Sequence, residues 1–309
     1  MVNSVFSNDC PICHSENNQA WIICEDSQRL NRCNDCGLGY LAPYPTPIGD
    51  LYKDYGDYIT QLPSSYFENR LRVSAKKRAI FTLIKMMLGK DARLLDYGGG
   101  AGLFVGVARK LGFKNLYLFE PSENFRRAAI ERVGIEASHV VDDISKLQGQ
   151  FDFVSMLDVI EHLPQEKLHF FLTELTAKMT LGGYLFGETP NRRSWNLMIF
   201  GQEDPVIAPP SHLTYFTKRS LHKILSMHGF KRKVLVTWGV SPNSFFRKSK
   251  FSPSFVEQPQ TKLQGIFALV IRGLFKIFGP ASFLANAGYQ IIFLYRLEQR
   301  KPAEPSREH

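Results

Sequence analysis

The sequence predicts a doubly wound α/β fold with a mostly parallel sheet, preceded by a small cysteine-marked unit. Two observations predict it. From residue 92 onward, short apolar runs alternate with helical periods, and that alternation builds parallel strands joined by crossover helices. Ahead of them, Cys10, Cys13, Cys33 and Cys36 form two CxxC pairs, a spacing that suits a metal knuckle.

The 309 residues suffice for one large domain and an appendage. Residues 1–40 are polar and cysteine-marked, and residues 41–90 hold a proline-rich connector and an N-terminal helix over 64–89. The core spans 91–240. Its strands are expected at Arg93–Tyr97, Asn115–Phe119, Val140–Val141, Phe151–Leu157 and Gly183–Phe186. Helices follow the first and second strands, and another spans Gln165–Met179. Residues 189–216 read as an irregular insertion, Thr217–His228 as a helix and Phe230–Trp238 as a strand. The stretch 241–298 reads as a mobile Ser/Pro/Lys loop, an amphipathic helix and a last strand at Tyr289–Leu297, before a disordered tail over 299–309.

The opening residues lack the basic-then-apolar order of an export signal. Reduced cysteines and a cytoplasmic location are therefore expected. A formal net charge of +9 favours anionic partners without choosing among them.

The segment Asp96-Tyr97-Gly98-Gly99-Gly100-Ala101-Gly102 follows the first core strand directly. Glycines there permit a tight turn and close backbone approach to a ligand. Asp96 would oppose a phosphate, so the acid suits a ligand bearing an ammonium group. Glu120 ends the next strand, where a carboxylate can grip both hydroxyls of a ribose.

Strand, acid, glycines, helix, strand and acid together resemble the class I S-adenosylmethionine-dependent methyltransferases, in the branch of the ubiquinone-biosynthesis O-methyltransferases. Asp142-Asp143, the run Phe151–Leu163 (similar to FDxVxxxxVxEHL) and Leu181–Phe186 extend the likeness over residues 90–240. The resemblance implies a Rossmann-like, seven-stranded methyltransferase fold. It implies that Asp96, Gly98, Gly100 and Gly102 frame the methionine part of the cofactor and that Glu120 holds its ribose. Asp142 or Asp143 would meet the adenine, and Leu157 or Asp158 would close over the cofactor. Asp158, Glu161 and His162 also resemble an acid-rich cluster that can hold a divalent metal, although short acids before Pro164 equally suit helix capping.

Four thiolates at the spacing of Cys10, Cys13, Cys33 and Cys36 can surround zinc tetrahedrally, and an all-cysteine set indicates a structural site. A unit of about 35 residues buries too little apolar surface to fold without such a metal. The intervening chain offers a hairpin, Trp21–Cys24 with Leu30–Arg32, and leaves Cys24 as a small core residue. The run Cys33–Pro45 resembles the CxxCGxxxxxPxP of bacterial zinc-ribbon methyltransferases.

A hydroxyl acceptor needs a base, commonly a histidine. His212, in a segment resembling HxxxFT beside the acceptor pocket of relatives, is the expected base or substrate anchor, with Tyr215 nearby. The acceptor expected is a hydroxyl of a small-molecule, glycan or lipid-linked intermediate. The alternatives are C-methylation of a nucleotide-linked sugar and, less supported, RNA methylation by a zinc-ribbon enzyme. Leu157–Ile160 lacks the NPPY-type loop used on base amines, and the basic residues form no aromatic-interleaved patch, which argues against nucleic acid. Residues 262–279 set large apolar residues opposite Arg272 and Lys276. That pattern suits peripheral contact with the anionic inner face of a membrane, or packing on the core.

Overall fold

The computed structural model describes residues 9–23, 29–42, 88–89, 91–209, 211–239 and 285–301. The helix expected over 64–89, the loop 241–261, the amphipathic stretch 262–279 and Cys24 lie outside them, or nearly so. In chain order the strands are β1 (Asn18–Ile23), β2 (Arg29–Cys33), β3 (Gly39–Ala42), β4 (Arg93–Tyr97), β5 (Asn115–Phe119), β6 (Val140–Val141), β7 (Phe151–Leu157), β8 (Met179–Pro190), β9 (Thr214–Tyr215), β10 (Phe230–Trp238) and β11 (Gln290–Leu297). The α-helices are α1 (Leu103–Lys110), α2 (Glu123–Val133), α3 (Leu168–Ala177), α4 (Trp195–Phe200) and α5 (Lys218–Met227).

The main sheet has seven strands in the order β10-β11-β8-β7-β4-β5-β6. The strands from β8 to β6 pair in parallel, and β11 runs antiparallel to both of its neighbours. This is the doubly wound, mostly parallel seven-stranded sheet expected from the sequence. The strand order reverses between β4 and β7, the switch point where such sheets leave a crevice for a ligand.

Period-two patterning divides the core. In β11, Ile291, Phe293, Tyr295 and Leu297 face the layer of α3 and α5, while Ile292 and Leu294 face that of α1 and α2. Four of the five α-helices among the described residues thus cover the two faces, as a parallel sheet requires.

Two elements depart from expectation. The strand expected at Gly183–Phe186 runs from Met179 to Pro190, because β7 and β11 pair with it on both edges and carry it through polar residues. The insertion 189–216 is ordered. Ser194 caps α4, its hydroxyl accepting from the Leu197 amide at 3.1 Å. The segment's last residues form β9, which joins the second sheet, ordered β1-β2-β3-β9. Three strands of that sheet come from the cysteine unit and the fourth from the insertion.

Among the described residues no helix is long and apolar enough to cross a membrane.

Candidate functional site

The glycine loop leaves β4 at the switch point. Gly98, Gly100 and Gly102 have φ of 68°, 52° and 76°, a left-handed region that favours glycine. The Gly98 and Gly99 amides both donate to the Phe119 carbonyl, at 2.8 and 3.2 Å. A Cβ on Gly98 would lie 2.7 Å from Val159, whereas one on Gly100 would meet nothing within 4 Å. The loop is therefore packed on one side and open on the other.

Glu120 stands at that opening. Its carboxylate accepts from the Gly100 amide at 3.0 Å and the Ser122 amide at 2.9 Å, and burial raises its pKa. Each oxygen thus takes one amide and keeps further acceptor capacity. Asp96 is buried beneath the loop, accepting from the Ser155 hydroxyl at 2.6 Å. Ser155 escaped the sequence reading, although a serine inside the apolar strand Phe151–Leu157 was a signal.

The other residues expected to touch the cofactor lie at or just after the ends of β6 and β7. Asp142 and Asp143 follow β6, whose Val141 carbonyl accepts from the Glu120 amide at 2.9 Å. Asp142 pairs with Lys146, which lowers its pKa, and Asp143 caps the next turn through the Ser145 amide at 2.8 Å. Leu157 ends β7. Asp158 beside it is exposed, holds φ of 53°, and accepts from Gln290 Nε2 at 3.2 Å. An aspartate in that region is uncommon, and such positions concentrate at ligand-contacting turns.

A second cluster, around Glu161, His162 and His212, lies beyond the same end of β7. Glu161 is buried, its Oε2 accepting from the Thr189 hydroxyl at 2.9 Å, and burial raises its pKa well above the usual range. His162 and His212 meet edge to face with centroids 4.7 Å apart. His212 Nδ1 lies 2.7 Å from the Val206 carbonyl and His162 Nδ1 lies 2.6 Å from that of Ser211. A carbonyl only accepts, so both rings carry their proton on Nδ1. Burial lowers both pKa values, that of His212 to about 4. Glu161, His162 and His212 each bring a potential ligand atom within 4.8 Å of the others. Asp158 is not part of that group. Tyr215 is buried, its ring edge-on to Trp21 at 5.7 Å and 6.3 Å from His212.

The four expected cysteines converge. Their sulfurs lie within 4.8 Å of one another, with Cys10 to Cys36 at 3.5 Å and Cys13 to Cys33 at 3.6 Å. Zinc at about 2.3 Å from four tetrahedral sulfurs sets them roughly 3.8 Å apart, so the donor set fits. No disulfide links them.

A glycine loop on an acid-ended strand, a carboxylate at the end of the next strand and this strand order are the features expected of class I methyltransferases. A family model described as a methyltransferase domain matches residues 58–234, more than half of the chain, and the chain belongs to that family. The protein is an S-adenosylmethionine-dependent methyltransferase. No curated protein matches it in sequence.

Among solved structures it is similar to an S-adenosylmethionine-dependent methyltransferase from Archaeoglobus fulgidus, at 18% identity over 75% of this chain and 99% of that one, TM-score 0.47. It is similar to a magnesium protoporphyrin IX methyltransferase from Synechocystis bound to SAH, at 14% identity over 74% and 83%, TM-score 0.47. It is similar also to an O-methyltransferase from a Brevibacillus brevis polyketide multienzyme bound to S-adenosylhomocysteine, at 14% identity over 78% and 79%, TM-score 0.47.

Proposed function

We propose that the enzyme methylates a hydroxyl of a small-molecule, glycan or lipid-linked intermediate, in the manner of the ubiquinone O-methyltransferase branch, with His212 as base. The supporting observation is the tautomer of His212. With Nδ1–H donated to Val206, Nε2 keeps its lone pair, and a pKa near 4 holds the ring neutral at physiological pH. A neutral imidazole can accept the proton that a hydroxyl loses as it attacks, and Tyr215 packs beside the ring.

S-adenosylmethionine supplies an activated methyl group. The chain supplies alignment. Asp96, Gly98, Gly100 and Gly102 frame the methionine end, and Glu120 takes the ribose hydroxyls. Asp142 or Asp143 reaches the adenine, and Leu157 and Asp158 close the crevice. Cys10, Cys13, Cys33 and Cys36 hold a structural zinc. The acceptor reading predicts methyl transfer from labelled cofactor to polyprenyl or glycan hydroxyls that His212→Ala abolishes. Transfer surviving within a few-fold would make His212 structural.

Peripheral membrane contact through 262–279 rests on the sequence pattern alone. Flotation with anionic liposomes at low salt tests it. Protein that stays in the soluble fraction removes that contact from the reading.

A further inference from the structure

We propose that the cysteine ribbon is a positioning element for the acceptor side, with Arg192 as its fastening residue. The inference rests on the acceptor reading of His212, and on the fourth strand of the ribbon sheet.

β9 is two residues long, too short to persist without a partner. It pairs antiparallel with β3, Gly39 opposite Tyr215 and Tyr40 opposite Thr214. The Leu41 amide continues the ladder by donating to the Leu213 carbonyl at 3.0 Å. The same segment also grips the short helical turn after β7, where the Leu213 amide donates to the Glu161 carbonyl at 2.9 Å. The chain around His212 is thus held between the ribbon and the site.

Packing repeats the arrangement. Ile22, Leu30 and Leu41 of the ribbon form one buried cluster with Leu197, Val206, Ile207, Leu213 and Tyr215 of the insertion. Val206 is the residue whose carbonyl fixes the His212 tautomer. The same insertion therefore packs on the ribbon and sets the proton position on the ring.

Two polar side chains tie the seam. Gln165 Nε2 donates to the Leu41 carbonyl at 2.6 Å. Arg192 Nε donates to the Gly37 carbonyl at 2.9 Å, its guanidinium covers the Trp21 ring at 5.2 Å, and its own amide donates to the Phe216 carbonyl at 2.8 Å. One residue thus touches the second cysteine knuckle, β1 and the end of β9. Burial lowers its pKa to about 10, still cationic at neutral pH.

Each link depends on the one before it. The metal holds the knuckles, the knuckles hold β3, β3 and Arg192 hold β9, and the insertion holds His212 beside His162. The hydrogen bonds of the glycine loop stand outside this chain of contacts: they run to Phe119 and Glu120. The ribbon meets β4, the strand before that loop, through the buried cluster that Ile12, Leu38 and Tyr40 share with Leu95 and Tyr97.

The experiment uses the full chain and needs no acceptor. Hydrogen exchange is followed by mass spectrometry before and after zinc chelation, and in Arg192→Ala and Arg192→Lys with the metal retained. Ring-nitrogen spectra of 15N-histidine protein report the His212 tautomer. S-adenosylhomocysteine affinity is measured in parallel. The proposal expects Arg192→Ala to speed exchange over 206–217 by about tenfold or more, with residues 93–120 unchanged. It expects His212 to lose its fixed Nδ1–H signal, Arg192→Lys to restore part of both, and S-adenosylhomocysteine affinity to stay within about twofold.

Should chelation unfold the whole protein, the Arg192→Ala result decides alone. Exchange over 206–217 within about twofold of wild type in Arg192→Ala, or an unmoved His212 signal, overturns the proposal. Wild type that binds no S-adenosylhomocysteine would instead overturn the cofactor assignments and leave the exchange result standing.

Discussion

The two halves of the site are built on different length scales. The half proposed to hold the cofactor is close in sequence. Asp96, the glycine loop and Glu120 fall within 25 residues, and two adjacent parallel strands bring them together. The half proposed to receive the acceptor is assembled from five separate stretches around Trp21, Gly39, Glu161, Arg192 and His212. The first half draws on distant residues at two points, Ser155 against Asp96 and Val159 over Gly98. The second is coupled as well to the docking of the cysteine unit.

Removing the metal tests that coupling hardest. Cys33→Ser should reduce zinc from about one per chain to near none, because a structural site releases its metal when one of four thiolates is lost. Atomic emission on the purified variant measures it, and retention of stoichiometric zinc would reject the ribbon assignment. Next is His212→Ala, which should cost roughly 10²- to 10⁴-fold in turnover. S-adenosylhomocysteine affinity should barely move, as the two halves demand.

Glu120→Ala probes the local half. Two charge-assisted hydrogen bonds to ribose at about 1.5 kcal/mol each correspond to about 100-fold in S-adenosylmethionine affinity. Calorimetry reads it, while circular dichroism should show an intact fold. Asp142→Ala should do less, under about tenfold, since its carboxylate is solvated and paired with Lys146.

Acid should act on the coupled half. Burial lowers His212 from about 6.5 to about 4. Between those values the unfolded chain binds more protons than the folded one, so stability is full above pH 6.5 and falls as pH drops towards 4. Denaturation midpoints across that window should decline, and His212→Gln should flatten part of the slope. A decline unaltered by that change would assign the titration elsewhere.

The contrast also explains what the sequence could reveal. Asp96, Gly98, Gly100, Gly102 and Glu120 were legible because their spacing is their geometry. The four cysteines were legible for the same reason, since each knuckle is a local turn. The β1–β2 hairpin and the capped helix at Thr217 were likewise readable from nearby residues. Arg192 and Gln165 carried no such signal, because their partners at Gly37 and Leu41 lie more than a hundred residues away. The same holds for the polar half of β8, which is a strand because two neighbours pair with it. His212 could be singled out, but not the carbonyl that sets its tautomer.

Gly39 bears on how such a protein can change over time. A Cβ there would lie 2.8 Å from the Trp21 ring and 3.0 Å from the Arg192 side chain. A ribbon transplanted from a relative would have to bring its own small residue at that position, an aromatic to match Trp21, and a host arginine to receive it. Exchange of the ribbon alone, by a crossover near residue 42, should therefore give chains that fold poorly. Truncating the first 42 residues should behave the same way, baring Leu197, Val206, Ile207 and Leu213 to solvent and sending the remainder into inclusion bodies.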